Sequence, residues 1–587
     1  MKPPSRNSII LCTIGAVLTA LLFNVMAHAA RLSMARHESM DATVNAALQS
    51  LASPWPPSME RADLMAGLAG LAVFALGALY VISNRHNYRY GEEHGSAHWA
   101  GEHDMRPYTD HDPARNLQMT ATEGLALDTR ATGRNLNVCV AGGSGSGKTR
   151  GYVLPNLARA NMSYAVTDPK GEIYRSMREP LEKKGYRIKA LNLVDLGRSA
   201  HFNPMAYINP ATSEQNILEL VDNLIDNTAN PNSAKGESFW DESMRTLLRA
   251  LVGWEYYTSD SPTLNGVVEL LGMMEASEED ETKKSPVDAM MQSAREILRE
   301  IHQGQDLGFE SYDPGQLTRL EDGVAFAAAQ YRKYEQGAGE TKKSIIISLG
   351  VRLAPLQVSQ VRGILADDQI DLHAVGEEKT AIFIIIPDTT ATFNFLAAVF
   401  YQCLFSTLVY DADHTSSGML SRPVHCFLDE FANIGKVPNF TRLVATIRSR
   451  GISVSIIIQT LAQLKSMYKE DWETLIGNCD SILFLGAGKG DISTPKWISE
   501  LLGSATIDTR DISQSRGANG SYSISTRQAR RELMTAAELG SEKFPGDKCI
   551  YLLRGVSPFM SRKIDPNRAT RPPQSSLKRT TSHHGNK

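Results

Sequence analysis

Eight consecutive residues, Gly142-Gly143-Ser144-Gly145-Ser146-Gly147-Lys148-Thr149, follow directly on the apolar run LNVCVA. That is the phosphate-cradling pattern in the context it requires, a buried strand before it and a helix start after it. The glycines let main-chain N–H groups turn inward around phosphates, and the helix N-terminus adds the positive end of its dipole. Lys148 is then expected to reach the β- and γ-phosphates and Thr149 to place its hydroxyl on Mg²⁺. A second run, PVHCFLDEFANIG, supplies acids: Val424 to Leu428 are mainly apolar, and Asp429 and Glu430 close the strand. Strand ends commonly carry acids, so this pair gains meaning only beside the phosphate loop. Placed on a neighbouring strand, Asp429 would hold Mg²⁺, directly or through water, and Glu430 would act as general base on the attacking water. A third buried run, GISVSIIIQT, ends in Gln459-Thr460. There Gln459 either senses the γ-phosphate and orients water or simply begins a loop. ATP with Mg²⁺ is the ligand pair this chemistry calls for.

The elements that must position these groups are legible as short apolar stretches ending in turn residues. They are SYAVTD from Ser163, IKALNLVD from Ile188, AIFIIIPD from Ala381, SILFLG from Ser481 and CIYLL from Cys549. Continuous apolar strands alternating with helices predict a parallel sheet covered on both faces, a doubly wound α/β core with its ligand at the strands' carboxyl ends. The segment from Ala206 to Glu340 breaks the rhythm, with helical patterns such as QNILELVDNLIDN and FWDESMRTLLRALVGWEYY. The expected organisation is a membrane anchor over 1–90, a nucleotide-binding domain in two parts over 91–205 and 341–564, and an all-α insertion over 206–340 between them. A disordered basic tail over 565–587 follows, and the acidic stretch Glu275 to Glu281 reads as a solvated loop.

Composition sets the frame. A chain of 587 residues with 42% hydrophobic and 21% charged residues has room for several cores, which excludes a mini-protein, a coiled coil and a wholly disordered chain. With 61 basic against 65 acidic residues, any nucleic-acid contact must use a concentrated groove or pore. Cys12, Cys139, Cys403, Cys426, Cys479 and Cys549 stand apart, without the spacing of a structural metal site, and most lie in apolar runs that suit a reducing compartment.

Two uncharged apolar runs, Ser8 to Ala30 and Leu64 to Ile82, are each close to the length of a bilayer span. Separated by a short polar loop, they predict a helical hairpin. Lys2 and Arg6 before it, and Arg85, His86 and Arg89 after it, place both termini in the cytoplasm, although Arg31, Arg36 and Arg61 in the loop weaken that bias. A cleavable signal peptide ending near Ala27-His28-Ala29 is the alternative reading of the first run. Ala66 and Gly70 form a small-xxx-small pair of the kind that lets helices approach.

These residues together resemble a family, the type IV coupling proteins of bacterial conjugation and secretion, the TraG/TraD group. The resemblance is carried by the two spans, the juxtamembrane Gly95-Ser96-Ala97-His98-Trp99-Ala100, the phosphate loop, Asp168-Pro169-Lys170-Gly171-Glu172, Phe239-Trp240 and LDEFANIG. It runs from the hairpin to about Gly555, with His98 standing where the family pattern has Arg. It implies a RecA-like core in an inner-membrane ATPase that assembles as a ring, a homo-hexamer, with its all-α domain at the cytoplasmic mouth. The implied partners are a relaxase on single-stranded DNA, or effector proteins, and the channel of a type IV secretion system. It also places an arginine finger near Arg448, at the end of the helix after the acidic pair, with Arg450 as the alternative and a plain helix-end cation as the bland one. Two other functions stay open at this point: a membrane adaptor whose nucleotide site gates assembly, and a DNA translocase of the FtsK type.

Overall fold

The apolar runs that carry the motifs form strands because β-branched and other apolar residues dominate them, and turn residues close each one. The computed structural model describes residues 6–52, 56–83, 91–229, 238–276, 284–302, 314–514, 522–541 and 544–565. Lys2, Arg85, His86, Arg89, residues 277–281 of the acidic stretch and the tail beyond 565 lie outside the described residues. The described residues form two compact units, 1–93 and 94–587.

In the larger unit the strands, in chain order, are β1 (Asn116–Gln118), β2 (Gly124–Ala126), β3 (Val138–Ala141), β4 (Ser163–Pro169), β5 (Arg187–Asn192), β6 (Thr380–Ile386), β7 (Val424–Leu428), β8 (Ile452–Ile458), β9 (Ser481–Phe484), β10 (Ser504–Gln514), β11 (Tyr522–Glu532), β12 (Lys548–Leu553) and β13 (Phe559–Arg562). Nine of them make the main sheet, in the order β13-β12-β9-β3-β8-β7-β4-β6-β5. From β9 to β5 every neighbouring pair is parallel. All carboxyl ends of these strands therefore open on one edge, where an α/β sheet binds its ligand.

Three features depart from the sequence expectation. The Cys549 strand, β12, runs antiparallel to β9 and pairs with β13 through a short turn, so this edge of the sheet is mixed. The acid-bearing strand β7 is not beside β3, because β8 lies between them. Finally, β10 and β11 form a separate ribbon with eleven paired positions, where no strand was expected. Its base is tied to the juxtamembrane element: Ala97 N donates to Ser504 O at 3.1 Å and Thr506 N to Gly95 O at 3.0 Å.

The strand faces sort the core into two layers, as period-two alternation requires. Val138, Val140, Tyr164 and Val166 point to one face and Cys139, Ala141 and Ala165 to the other. The second face is covered by the mainly apolar helix Asn394–Asp413 and by the helical region, with which it shares one continuous hydrophobic cluster. Between β5 and β6 that region contains helices Ser213–Asn227, Ser238–Thr258, Leu264–Gly272, Pro286–His302, Pro314–Glu335, Gly339–Leu353, Ser359–Ile364 and Ala374–Glu377. Helices thus occupy the chain up to the start of β6. Five of the six cysteines are buried as free thiols, and Cys12 is exposed on the first apolar helix.

In the smaller unit, helices Arg6–Ala35 and Arg61–Ser83 pack as an antiparallel pair whose outward surface is apolar, with Leu11, Leu18, Leu68, Leu76 and Leu79 exposed. Both hold a stretch long and apolar enough to cross a membrane, Ile10–Ala35 and Arg61–Val81. The close approach uses Gly67 and Gly70, which face Ala20, Thr19 and Phe23; Ala66 lies off that seam, only half buried. The connection holds a helix, Met40–Gln49, capped by Ser39, where a plain polar loop was expected. At its entry Asp63 is buried between Arg31 and His28, at 2.9 Å from each.

Candidate nucleotide site

β3 delivers the phosphate loop onto the carboxyl edge, and main-chain bonds fix it there. Gly142 N donates to Ile458 O at 3.1 Å and Gly143 N to Gly486 O at 2.9 Å, so the loop hangs from the ends of β8 and β9. A Cβ on Gly143 would sit 2.7 Å from Gly488 N, a distance no side chain tolerates, so this position must be glycine. Gly145 and Gly147 adopt φ of 74° and 92°, which turns the loop back toward its helix. That helix opens with a wide turn, Thr149–Val153, and continues as Leu154–Arg159.

Lys148 is buried and its ammonium donates to Gly142 O at 2.6 Å and Gly143 O at 3.1 Å. Burial lowers its pKa, while Asp429 and Glu430 opposite favour the charged form. Thr149 Oγ1 donates to Asp429 Oδ2 at 2.8 Å, bridging the loop to the end of β7 across β8. Asp429 is almost fully buried, and that burial raises its pKa despite the Thr149 bond and the nearby Lys148. A hydroxyl and a carboxylate meeting this way form the start of an all-oxygen donor set, which suits Mg²⁺.

Glu430 stands in the left-handed region, φ 49°, which swings its side chain out of the strand direction. Both its oxygens are held: Asn433 Nδ2 donates to Oε2 and Gln459 Nε2 to Oε1, each at 3.0 Å. Gln459, at the end of β8, therefore binds the acid on β7. Lys148, Thr149, Asp429, Glu430 and Gln459 come together on one edge. Arg448 is not brought to this cluster; its guanidinium donates to Thr129 O at 2.7 Å, and Arg450 pairs with Asp413 at 2.7 and 2.8 Å.

The sequence reading assigned no role to three groups near the cluster. Asp168, at the end of β4, caps the next helix by accepting N–H bonds from Ile173 and Tyr174. Its burial, with Asp429 nearby, pushes its carboxyl up to about 6. Lys563, just past β13, donates to Ser146 O of the phosphate loop at 2.8 Å. Asn433 lies inside LDEFANIG, and its place at the turn three residues after Glu430 was the available signal.

A phosphate loop on an interior strand of a mostly parallel sheet, with two acids and a glutamine converging on it, defines the class of P-loop NTPases. Residues 111–565 match the family described as Type IV secretory system Conjugative DNA transfer. The chain belongs to that family. It is 22% identical over 433 residues to the conjugal transfer protein TraG of Rhizobium radiobacter, covering 72% of this chain and 60% of that protein. It is 21% identical over 520 residues to the protein VirD4 of Agrobacterium fabrum (strain C58), covering 84% of this chain and 69% of that protein. The chain thus spans about 60–70% of the length of these curated relatives. Among solved structures it shares its fold with the bacterial conjugative coupling protein TrwBΔN70, with a TM-score of 0.56 at 14% identity over 81% of this chain and 96% of that one. The TrwB structure in complex with ADP and Mg²⁺ gives a TM-score of 0.51 at 14% identity, covering 80% of this chain and 92% of that one.

Proposed function

We propose that this chain is a membrane-anchored ATPase that couples a relaxase–DNA complex, or effector proteins, to a type IV secretion channel during conjugative transfer. The observation that carries the reading is the convergence of Lys148, Thr149, Asp429, Glu430 and Gln459 on one sheet edge in a member of the conjugative DNA transfer family. Family membership supports the DNA-transfer role, and the ADP–Mg²⁺ complex of TrwB supports the ligand pair.

In this reading the main-chain N–H groups of the loop beyond Gly143, up to Thr149, cradle the phosphates of ATP, those of Gly142 and Gly143 being engaged by Ile458 and Gly486, and Lys148 supplies charge at the β- and γ-positions. The Ser146 hydroxyl is buried in the loop with no hydrogen-bond partner among the described residues, and a phosphate oxygen is the acceptor it fits. Thr149 Oγ1 and Asp429 would hold Mg²⁺, which when bound neutralises charge on the phosphates. Glu430 takes the proton of the attacking water, and Gln459 and Asn433 fix its carboxylate. Arg448 is the proposed cation supplied to a neighbouring copy in a hexameric ring.

The apolar outer surfaces of helices Arg6–Ala35 and Arg61–Ser83 support insertion in the inner membrane, with the nucleotide unit in the cytoplasm and residues 31–60 outside. Met40 is exposed at 80%, so Met40→Cys should react with an impermeant thiol reagent in cells with a permeabilised outer membrane. Protection of that thiol, with labelling of a cysteine placed in the nucleotide unit, would reverse the orientation.

The central test is ATP hydrolysis by the full-length protein in lipid discs, with and without single-stranded DNA. Stimulation that falls steeply as salt rises, because phosphate contacts release counterions, is the expected result. Hydrolysis with no DNA response at any ionic strength would favour the adaptor reading.

A further inference from the structure

The turn that carries Glu430 is bolted to the helical region by one amide. Asn227, in the last turn of helix Ser213–Asn227, pairs with both main-chain groups of Lys436. Lys436 N donates to Asn227 Oδ1 at 2.7 Å, and Asn227 Nδ2 donates to Lys436 O at 3.0 Å. The same Nδ2 donates to Asn223 Oδ1 at 2.8 Å, and Asn223 Nδ2 donates to Gln402 Oε1 on helix Asn394–Asp413 at 2.6 Å. The chain approaches closely enough here that Gly435, at φ 91°, has Asn227 Oδ1 only 2.6 Å from where a Cβ would stand. Three residues before Lys436, Asn433 holds Glu430 Oε2 at 3.0 Å, and its own carbonyl accepts from Asn394 Nδ2 at 2.8 Å. Ile434, between the two anchors, is fully buried.

From this arrangement we infer that Asn227 is a positioning residue for hydrolysis: the helical region sets, through the Lys436 main chain and Asn433, where the Glu430 carboxylate stands. The inference rests on the reading of Glu430 as the water-activating base. Main-chain pairing by an amide is stiff and directional, because both its donor and its acceptor are engaged at once. Losing it frees residues 433–436 from the helix while leaving the phosphate loop untouched. A helical region that shifts when it engages cargo would thereby move the acid, giving a mechanical link between cargo and turnover.

The test uses the full-length protein in lipid discs and reads kcat and KM for ATP separately. Asn227→Ala is expected to lower kcat by about tenfold with KM within about twofold, the size of effect one or two such bonds support. Asn227→Asp keeps the acceptor for Lys436 N and loses the donor, so it should fall between the two. Gly435→Ala displaces the same contact from the other side without altering the helix and should repeat the kcat loss. Gln215→Ala, on an exposed turn of the same helix, should be silent. Melting temperatures of all variants report on folding, and the kcat comparison is made on variants that melt as the wild type does. Wild-type kcat in both Asn227→Ala and Gly435→Ala would overturn the inference while leaving the base assignment standing. Full turnover in Glu430→Gln would instead sink the base assignment itself.

Discussion

The two halves of the nucleotide site are held by different means. The phosphate loop is fixed mainly by its own main chain, hung from Ile458 and Gly486, with Lys148 and Lys563 bonding to its carbonyls. The acid half is a network of side chains: Thr149 on Asp429, Gln459 and Asn433 on Glu430. A main-chain cradle hung from the ends of two buried strands has few ways to move. A side-chain network depends on three separate segments and moves when any one of them does. Binding should therefore be the robust property of this site and turnover the adjustable one.

The largest effect should come from the loop side. Lys148→Ala should abolish hydrolysis while the protein folds and inserts normally, since Lys148 lies in a loop and its loss removes little of the core; near-wild-type turnover would sink the site assignment. Next is Arg448→Ala, expected to cost about 10³ to 10⁵ in rate if the guanidinium reaches a neighbour's γ-phosphate. Mixing it with the Glu430→Gln variant should restore partial activity, because some interfaces in a mixed ring pair an intact Arg448 with an intact Glu430. Normal hydrolysis by Arg448→Ala alone would move attention to Arg450. On the acid side, Glu430→Gln should lose about 10² to 10⁴ in kcat yet bind ATP as tightly as before, the loss a general base accounts for. Equal losses of binding and turnover there would erase the contrast between the halves.

The smallest effect concerns the scaffold under the acids. His425 on β7 is fully buried, with its ring nitrogens at 2.7 Å from Ser453 and Ser455 on β8, and burial pushes its pKa down to about 3 from an ordinary 6.5. Below pH 6.5 the unfolded chain takes up a proton that the folded one refuses. Stability should thus be full above pH 6.5 and fall as pH drops toward 3, at up to about 1.4 kcal/mol per pH unit from this group. Unfolding titrations of His425→Gln should give a flatter acid limb, and matching slopes would assign the acid sensitivity to other groups.

The phosphate loop and the acidic strand end were legible because each is one short segment whose residue types do the chemistry directly. Fold class followed from the same runs, since buried parallel strands read as unbroken apolar stretches. The ribbon of β10 and β11 escaped because segments such as TIDTRDIS and SISTRQARR carry no apolar face to announce a strand. The direction of β12 escaped as well, because an apolar strand reads the same in either sense. Asn433 had only its place in LDEFANIG to mark it, and Asn394 and Asn227 were invisible for another reason. Asparagines are common at turns and helix ends, and what distinguishes Asn227 is a partner 209 residues away.

Helix Asn394–Asp413 has one more consequence. Its length and composition would let it cross a bilayer, yet it is buried against the sheet. The strands β7, β8 and β9 of that sheet are synthesised afterwards, the last of the three ending about 70 residues downstream at Phe484, with β12 and β13 later still. At roughly 5–20 residues per second, a ribosome exposes this bilayer-grade segment for several seconds before its proper cover exists. A chain whose first two helices are long and apolar enough to span a bilayer must therefore keep a third such helix out of the lipid during its own birth, a hazard of timing that the finished fold conceals.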